Sequence, residues 1–168
     1  MQTAGPRVRL VRMLIRPVDT DDVADLVSLF AEWGHPLSAT DVRAVLAEWG
    51  STARSEVLVA DNDGEIAGMV AVSAGPRFAR PGRYGHLAGL AVAANHRRSG
   101  VGTLLLKAAE DHAHAWGCDR LELTSSRSRG AAHDFYRHHG YEETSEHHAR
   151  YLRLFDRDSS SPMTGIAR

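Results

Sequence analysis

A chain of 168 residues and 18.3 kDa fits one compact domain, and 43% hydrophobic against 24% charged residues supply a full core and exclude disorder through its bulk. The net charge of −1 argues for neither a nucleic acid nor an anionic membrane as partner, which leaves a small molecule. A lone cysteine (Cys118), a longest apolar run of only Leu87 to Ala94 and an N-terminus without an apolar stretch speak against an internal disulfide, a membrane span and a signal peptide, so a reduced, cytoplasmic protein is expected.

Leu10 to Val18 carries the apolar, β-branched run of a first strand. Asp19-Thr20-Asp21-Asp22 then offers capping oxygens and negative charge to a helix N-terminus. Val23, Leu26, Val27 and Phe30 follow at i, i+3, i+4 and i+7, an apolar stripe that Gly34 should terminate. The same spacing returns at Val42, Val45, Leu46 and Trp49 behind Thr40-Asp41, with Gly50 as the expected stop. Val57 to Ala60, the turn residues Asp61-Asn62-Asp63-Gly64 and Ile66 to Ser73 read as a hairpin. A loop from Gly75 to Gly82 leads into Tyr84 to Ala93, the most apolar run and so a central strand.

Val101, Leu104, Leu105, Ala108, His112 and Trp116 mark a long helix ending at Gly117. Arg120 to Thr124 alternates as a strand does and, after a right-handed crossover, should lie parallel to its predecessor. A last helix carries Ala132, Phe135, Tyr136 and His139 on one side and closes at Gly140, ahead of a β-rich segment from Tyr141 to Phe155. The expected organisation is a disordered extension at 1–8, one domain at 9–156 and a flexible tail at 157–168. Its architecture is α/β, a mixed sheet flanked by helices.

The chemistry concentrates between the central strand and the long helix, at Asn95-His96-Arg97-Arg98-Ser99-Gly100-Val101-Gly102-Thr103. A helix N-terminus presents unpaired N–H groups and partial positive charge, glycines let phosphate oxygens approach the backbone, and Arg97 and Arg98 add formal charge. A P-loop would need Lys-Ser/Thr after the last glycine, where Thr103-Leu104 stands, and a dinucleotide fingerprint would need a small residue in place of Leu105. The ten histidines include the pairs His138/His139 and His147/His148, but neither an H-E-x-x-H motif nor cysteine spacing accompanies them, and no metal is expected.

Arg97-x-x-Gly100-x-Gly102 resembles the coenzyme A pyrophosphate signature of the GNAT superfamily of acyl-CoA N-acyltransferases, R/Q-x-x-G-x-G/A. Ala132-x-x-Phe135-Tyr136-x-x-x-Gly140-Tyr141 resembles a second family segment, and the hairpin from Val57 through Asp63-Gly64 to Gly68 resembles the family's second and third strands. The likeness runs from about Leu14 to Leu154. It implies a GNAT fold: a central, mostly antiparallel sheet with one splayed parallel strand pair and about four flanking helices.

The resemblance also implies acetyl-CoA as cosubstrate. The backbone of Leu90, Ala91 and Val92 would pair with the pantetheine arm and polarise the thioester carbonyl, with Gly89 permitting the close approach. Arg97, Arg98, Ser99, Gly100, Val101, Gly102 and Thr103 would hold the pyrophosphate. Arg129, where many members carry asparagine, and Tyr136 would lie beside the cofactor, Tyr136 as the acid that protonates the departing sulfur. Arg127 and Arg129 could also meet a substrate carboxylate.

The base is open. Many relatives use a glutamate on the fourth strand, but Gly85-His86-Leu87-Ala88-Gly89-Leu90 contains no acid. His86 is the candidate, as a residue type that titrates near neutrality; Glu122, a water chain or a less basic substrate amine are the alternatives. Plain alternation would put His86 on the same side as Ala88 and Leu90. The first two helices and the Gly75 to Gly82 loop would wall the acceptor site, with Trp33, Trp49, Phe78 and Tyr84 as candidate contacts. The resulting expectation is acetyl transfer to a primary amine of a small molecule by direct attack in a ternary complex, in a chain that could dimerise as family members commonly do. A non-catalytic acyl-CoA-binding sensor is the alternative.

Overall fold

The computed structural model describes residues 13–144, so the expectations for both ends of the chain, and for strand beyond Thr144, fall outside the described residues. The chain divides after Thr124 into two compact units. The first contains strands β1 (Met13–Pro17), β2 (Ser55–Asn62), β3 (Glu65–Pro76), β4 (Arg83–Val92) and β5 (Cys118–Glu122), with helices α1 (Val23–Trp33), α2 (Ala39–Ser51) and α3 (Val101–Ala115). The second contains α4 (Gly130–His138). The five strands form one sheet in chain order; β4 and β5 are parallel and every other neighbouring pair is antiparallel. This is the mixed sheet with four α-helices that the sequence led us to expect.

Local chemistry sets the element ends. Asp19 and Asp22 form a capping box around a 3-10 turn at Thr20–Asp22 that feeds α1. Gly34, at φ 89°, closes α1. Helix α2 starts earlier than Thr40-Asp41 suggested, because Ser38 and Asp41 cap it reciprocally. Gly50, expected as its stop, lies inside it, and the Thr52 N–H closes the helix on the Trp49 carbonyl at 3.1 Å. Asp63 and Gly64 are both left-handed, at φ 53° and 94°, the turn geometry whose twist matches a two-residue hairpin.

Strand β3 absorbs Gly75 and Pro76 from the expected loop, since they pair with Tyr84 and Arg83 of β4. Strand β5 begins two residues before the expected Arg120, because Gly117 at φ 77° turns the chain straight from α3 into it, and it ends at Glu122, leaving Leu123 and Thr124 outside.

The sheet is covered on both faces. Val23, Leu26 and Leu29 of α1 and Val42 of α2 pack on Val59, Ile66, Met69 and Ala91. Helix α3 covers the other face, where Leu105, Leu106 and Ala109 are buried. It approaches so closely that a Cβ on Gly68 would lie 3.0 Å from Leu105 and 3.3 Å from Val101. At the β1 edge, Arg16 donates to both carboxylate oxygens of the buried Asp22 at 2.8 Å and to Asp61 at 2.9 Å, tying β1, the 3-10 turn and β2 into one charged clasp.

Candidate active site

Strand β5 accompanies β4 only at Arg83, Gly85 and His86. From Leu87 to Val92 the far side of β4 has no strand partner among the described residues, which leaves a row of backbone donors and acceptors at an open edge inside an otherwise continuous sheet. A β-bulge sits where that edge begins. Ala71 pairs with Gly89 and Val72 with Leu87, so Ala88 is the extra residue.

The bulge reverses which face each β4 residue meets. Before it, a Cβ on Gly85 would lie 3.1 Å from Ala113 of α3; after it, a Cβ on Gly89 would lie 2.5 Å from the Trp33 indole of α1. Gly89 leaves the space of a side chain to the Trp33 indole. One expectation is corrected. His86 pairs with Ser73 on the α1 and α2 face, whereas Leu90 pairs with Val70 on the α3 face, so plain alternation fails across Ala88. His86 is exposed and stands beside Glu122 in the parallel register; Glu122 itself lies 2.5 Å from the Arg120 guanidinium. Next to Ser73, residues Glu48, Trp49 and Thr52 of α2 and its C-terminal turn, with Ser55, line a cleft of about 140 Å³.

Beyond Val92 the chain makes a 3-10 turn at Ala94–His96 and then a tight loop. Arg98 at φ 59° and Gly100 at φ 88° are both left-handed, and mixing backbone hands in so short a loop gathers successive N–H groups into an anion-binding concavity. The α3 ladder starts with the Leu104 N–H donating to Gly100 at 3.1 Å, so the N–H groups of Val101 and Gly102 precede it at the positive end of the helix dipole. The Val101 side chain is core, 1% exposed, and offers a ligand its backbone alone. Arg98 and Ser99 are exposed. An open edge that can pair with a thioester and its pantetheine chain leads directly into a basic concavity at a helix terminus that suits a pyrophosphate, so these residues fit coenzyme A.

Two glutamates hold this loop. Glu32 accepts the Ala94 N–H at 2.8 Å and lies 3.9 Å from the Arg97 guanidinium, whose Nε donates to the Val92 carbonyl at 3.2 Å. Glu65 accepts from Asn95 at 3.0 Å and meets His96 Nε2 at 3.1 Å, contacts that hold its carboxyl below the usual carboxylate range.

In the second unit, Tyr136 stands edge-on to Phe135 and Tyr141, at 5.3 and 5.6 Å between ring centroids. Burial pushes its phenol above the ordinary value, with the Arg129 charge pulling the other way. Arg129 opens α4, its carbonyl accepting from Ala132 and His133, and Arg127 pairs with Glu143 at 3.4 Å.

The pattern of the acetyltransferase (GNAT) family matches residues 21–141. The chain belongs to that family. It is 35% identical over 128 residues to the aminoglycoside N(6')-acetyltransferase type 1 of Klebsiella aerogenes, covering 70% of this chain and 84% of that protein. Solved structures share the fold. An aminoglycoside N-acetyltransferase AAC(6')-Iy in complex with CoA superposes with a TM-score of 0.75 at 19% identity over 90% of this chain and 99% of its own. A transcriptional regulator from Bacillus halodurans gives 0.76 at 24% over 85% and 100%. As a GNAT member the chain is an acetyl-CoA-dependent N-acetyltransferase.

Within this GNAT chain the structure brings Leu90 to Val92 together with the loop Arg97 to Thr103 at the end of β4, as the sequence suggested, and puts His86 on the other side of the bulge. The sequence reading did not include Glu32, Glu65 or the cleft beside Ser73. Glu32 and Glu65 reach the loop from positions 62 and 30 residues earlier in the chain, and no local pattern announces such a contact.

Proposed function

We propose that the protein transfers the acetyl group of acetyl-CoA to a primary amine of a small, polar molecule, with aminoglycosides as the class to try first. The observation that carries this is the 35% identity, over most of both chains, to an aminoglycoside N(6')-acetyltransferase. In this reading the concavity from Arg97 to Thr103 takes the pyrophosphate, and the free edge of Leu90 to Val92 pairs with the pantetheine arm. A backbone N–H there stabilises the charge that develops on the thioester oxygen. His86 takes the proton of the incoming ammonium through a water, because three ladder positions separate it from Leu90 across the bulge, about 10 Å, more than an imidazole spans. The amine nitrogen then bonds to the carbonyl carbon, the C–S bond breaks, and Tyr136 gives its proton to the thiolate.

Release of free thiol from acetyl-CoA, followed across a panel of amines, tests this reading. Turnover with aminoglycosides and acetylated product by mass are expected. Binding of acetyl-CoA without thiol release for any small amine would overturn it in favour of a sensor, and turnover with peptide amines alone would reassign the acceptor.

A further inference from the structure

We infer that Glu32 is a positioning residue that holds Arg97 away from the phosphate site until the cofactor arrives, and so sets the cofactor's affinity. The inference rests on the coenzyme A assignment above. Arg97 is the first cation of the loop and the first fixed residue of its motif, yet its guanidinium is turned back towards the strand. Its Nε donates to the carbonyl of Val92 at 3.2 Å, and its Nη2 lies 3.9 Å from Glu32 Oε2. Val92 is one of the three residues whose backbone is assigned to the pantetheine arm. In this pose Arg97 covers a group that the cofactor must reach, and it is neutralised by a carboxylate that the pyrophosphate must displace.

The same Glu32 oxygen accepts the Ala94 N–H at 2.8 Å, which pins the carboxylate over the junction of β4 with the loop. Its neighbour Trp33 is seated against Gly89, so the end of α1 that carries Glu32 is packed on β4. Seating the pyrophosphate therefore exchanges one partner of Arg97 for another, and Glu32 keeps the Ala94 N–H afterwards. The arrangement has two separable parts: a hydrogen bond that shapes the junction, and a charge that competes with the ligand.

Glu32→Gln separates them, since its amide oxygen still accepts from Ala94 while the charge is gone. We expect calorimetry to show CoA binding about two- to ten-fold tighter to Glu32→Gln than to the wild type, the range of a partly exposed ion pair plus relief of like-charge repulsion. Glu32→Ala, which also loses the acceptor, should bind more weakly than Glu32→Gln. The gain should vanish for acetyl-pantetheine, which has no pyrophosphate, and should shrink in an Arg97→Ala background, where only the relief of repulsion remains. Unchanged or weaker CoA binding by a folded Glu32→Gln protein overturns the inference, as does an equal gain with acetyl-pantetheine. If Arg97→Ala alone binds CoA as the wild type does, the failure lies in the assignment of the loop itself, which the same measurement distinguishes.

Discussion

At the β1 side of the sheet, Arg16 is spent. Three of its donors meet two carboxylates at 2.8 to 2.9 Å; the hydrogen bond from Arg16 holds Asp22 below the usual carboxylate range, the Gly64 N–H followed by Arg16 does the same for Asp61, and the hydrogen bond to Asp22 raises Arg16 further above its own. At the β4 side, Arg97 is available. It is 55% exposed and 3.9 Å from a glutamate that is itself 41% exposed, and the strand it follows has, among the described residues, an edge without a strand partner. Both are arginines beside a strand and a helix, yet one is closed into a clasp and the other meets a more distant, solvated carboxylate. A cation held by two carboxylates at short range stabilises the fold; a cation with a weak, solvated partner can change partners. Composition does not separate the two, and their surroundings do.

Variants on the catalytic side should alter rate and spare stability, and variants in the clasp should do the reverse. The largest effect is expected for Tyr136→Phe, which on the proposed mechanism removes the donor to the leaving thiolate: kcat should fall by about 10²–10⁴ with CoA affinity intact. Because burial raises the Tyr136 phenol, above its ordinary value of about 10, it keeps its proton through neutral and mildly alkaline pH. The alkaline fall of kcat should therefore lie above pH 10, and pH–rate profiles of the two proteins would show it. A fully active Tyr136→Phe would leave water as the donor.

A smaller loss, about 10²-fold in kcat/KM, is expected of His86→Ala, together with a changed pH profile and unchanged CoA affinity. A pH profile unchanged by the substitution would remove His86 from the proton path. Gly89→Ala should cost about 1–3 kcal/mol, because its methyl must displace the Trp33 indole, and thermal unfolding of Gly89→Ala alone and combined with Trp33→Leu would show recovery in the pair. No loss in the single variant would mean that the bulge relaxes and that the face reversal is soft.

Asp22→Asn should cost about 1–3 kcal/mol of stability and leave kcat unchanged, read by urea unfolding and thiol release. Both clasp carboxylates have depressed values in the fold. Their stabilisation is thus complete above the unfolded value of about 3.9 and is lost as pH falls below it towards their lower folded values. Asp22→Asn should therefore flatten stability against pH below about 4. A change in rate instead would break the comparison between the two sides.

The same contrast explains what the sequence disclosed. Helices α1, α3 and α4 and the hairpin were legible because apolar spacing, caps and left-handed glycines are local, and the loop from Arg97 to Thr103 was legible because its glycines and arginines fall between a strand and a helix. The bulge was not. Leu87-Ala88-Gly89-Leu90-Ala91-Val92 is apolar throughout, so no polar residue marks which face each member meets. Gly50 misled because a glycine tolerated near the end of α2 reads the same as one that ends it. Glu32 looked like any exposed helix glutamate, and its partner Ala94 is a backbone group.

The extra residue at Ala88 also bears on how such a strand can change over generations of sequence. One residue sets the phase of β4, so the stretch before it, with His86 towards the α2 cleft, and the stretch after it, with its free edge, are decoupled. The first can be rewritten for a new acceptor without moving the second. Losing Ala88 would instead leave Leu87 opposite Val72 and Gly89 opposite Ala71, so a chain could keep its motifs and the face of every side chain while losing only the local bend at which the free edge begins.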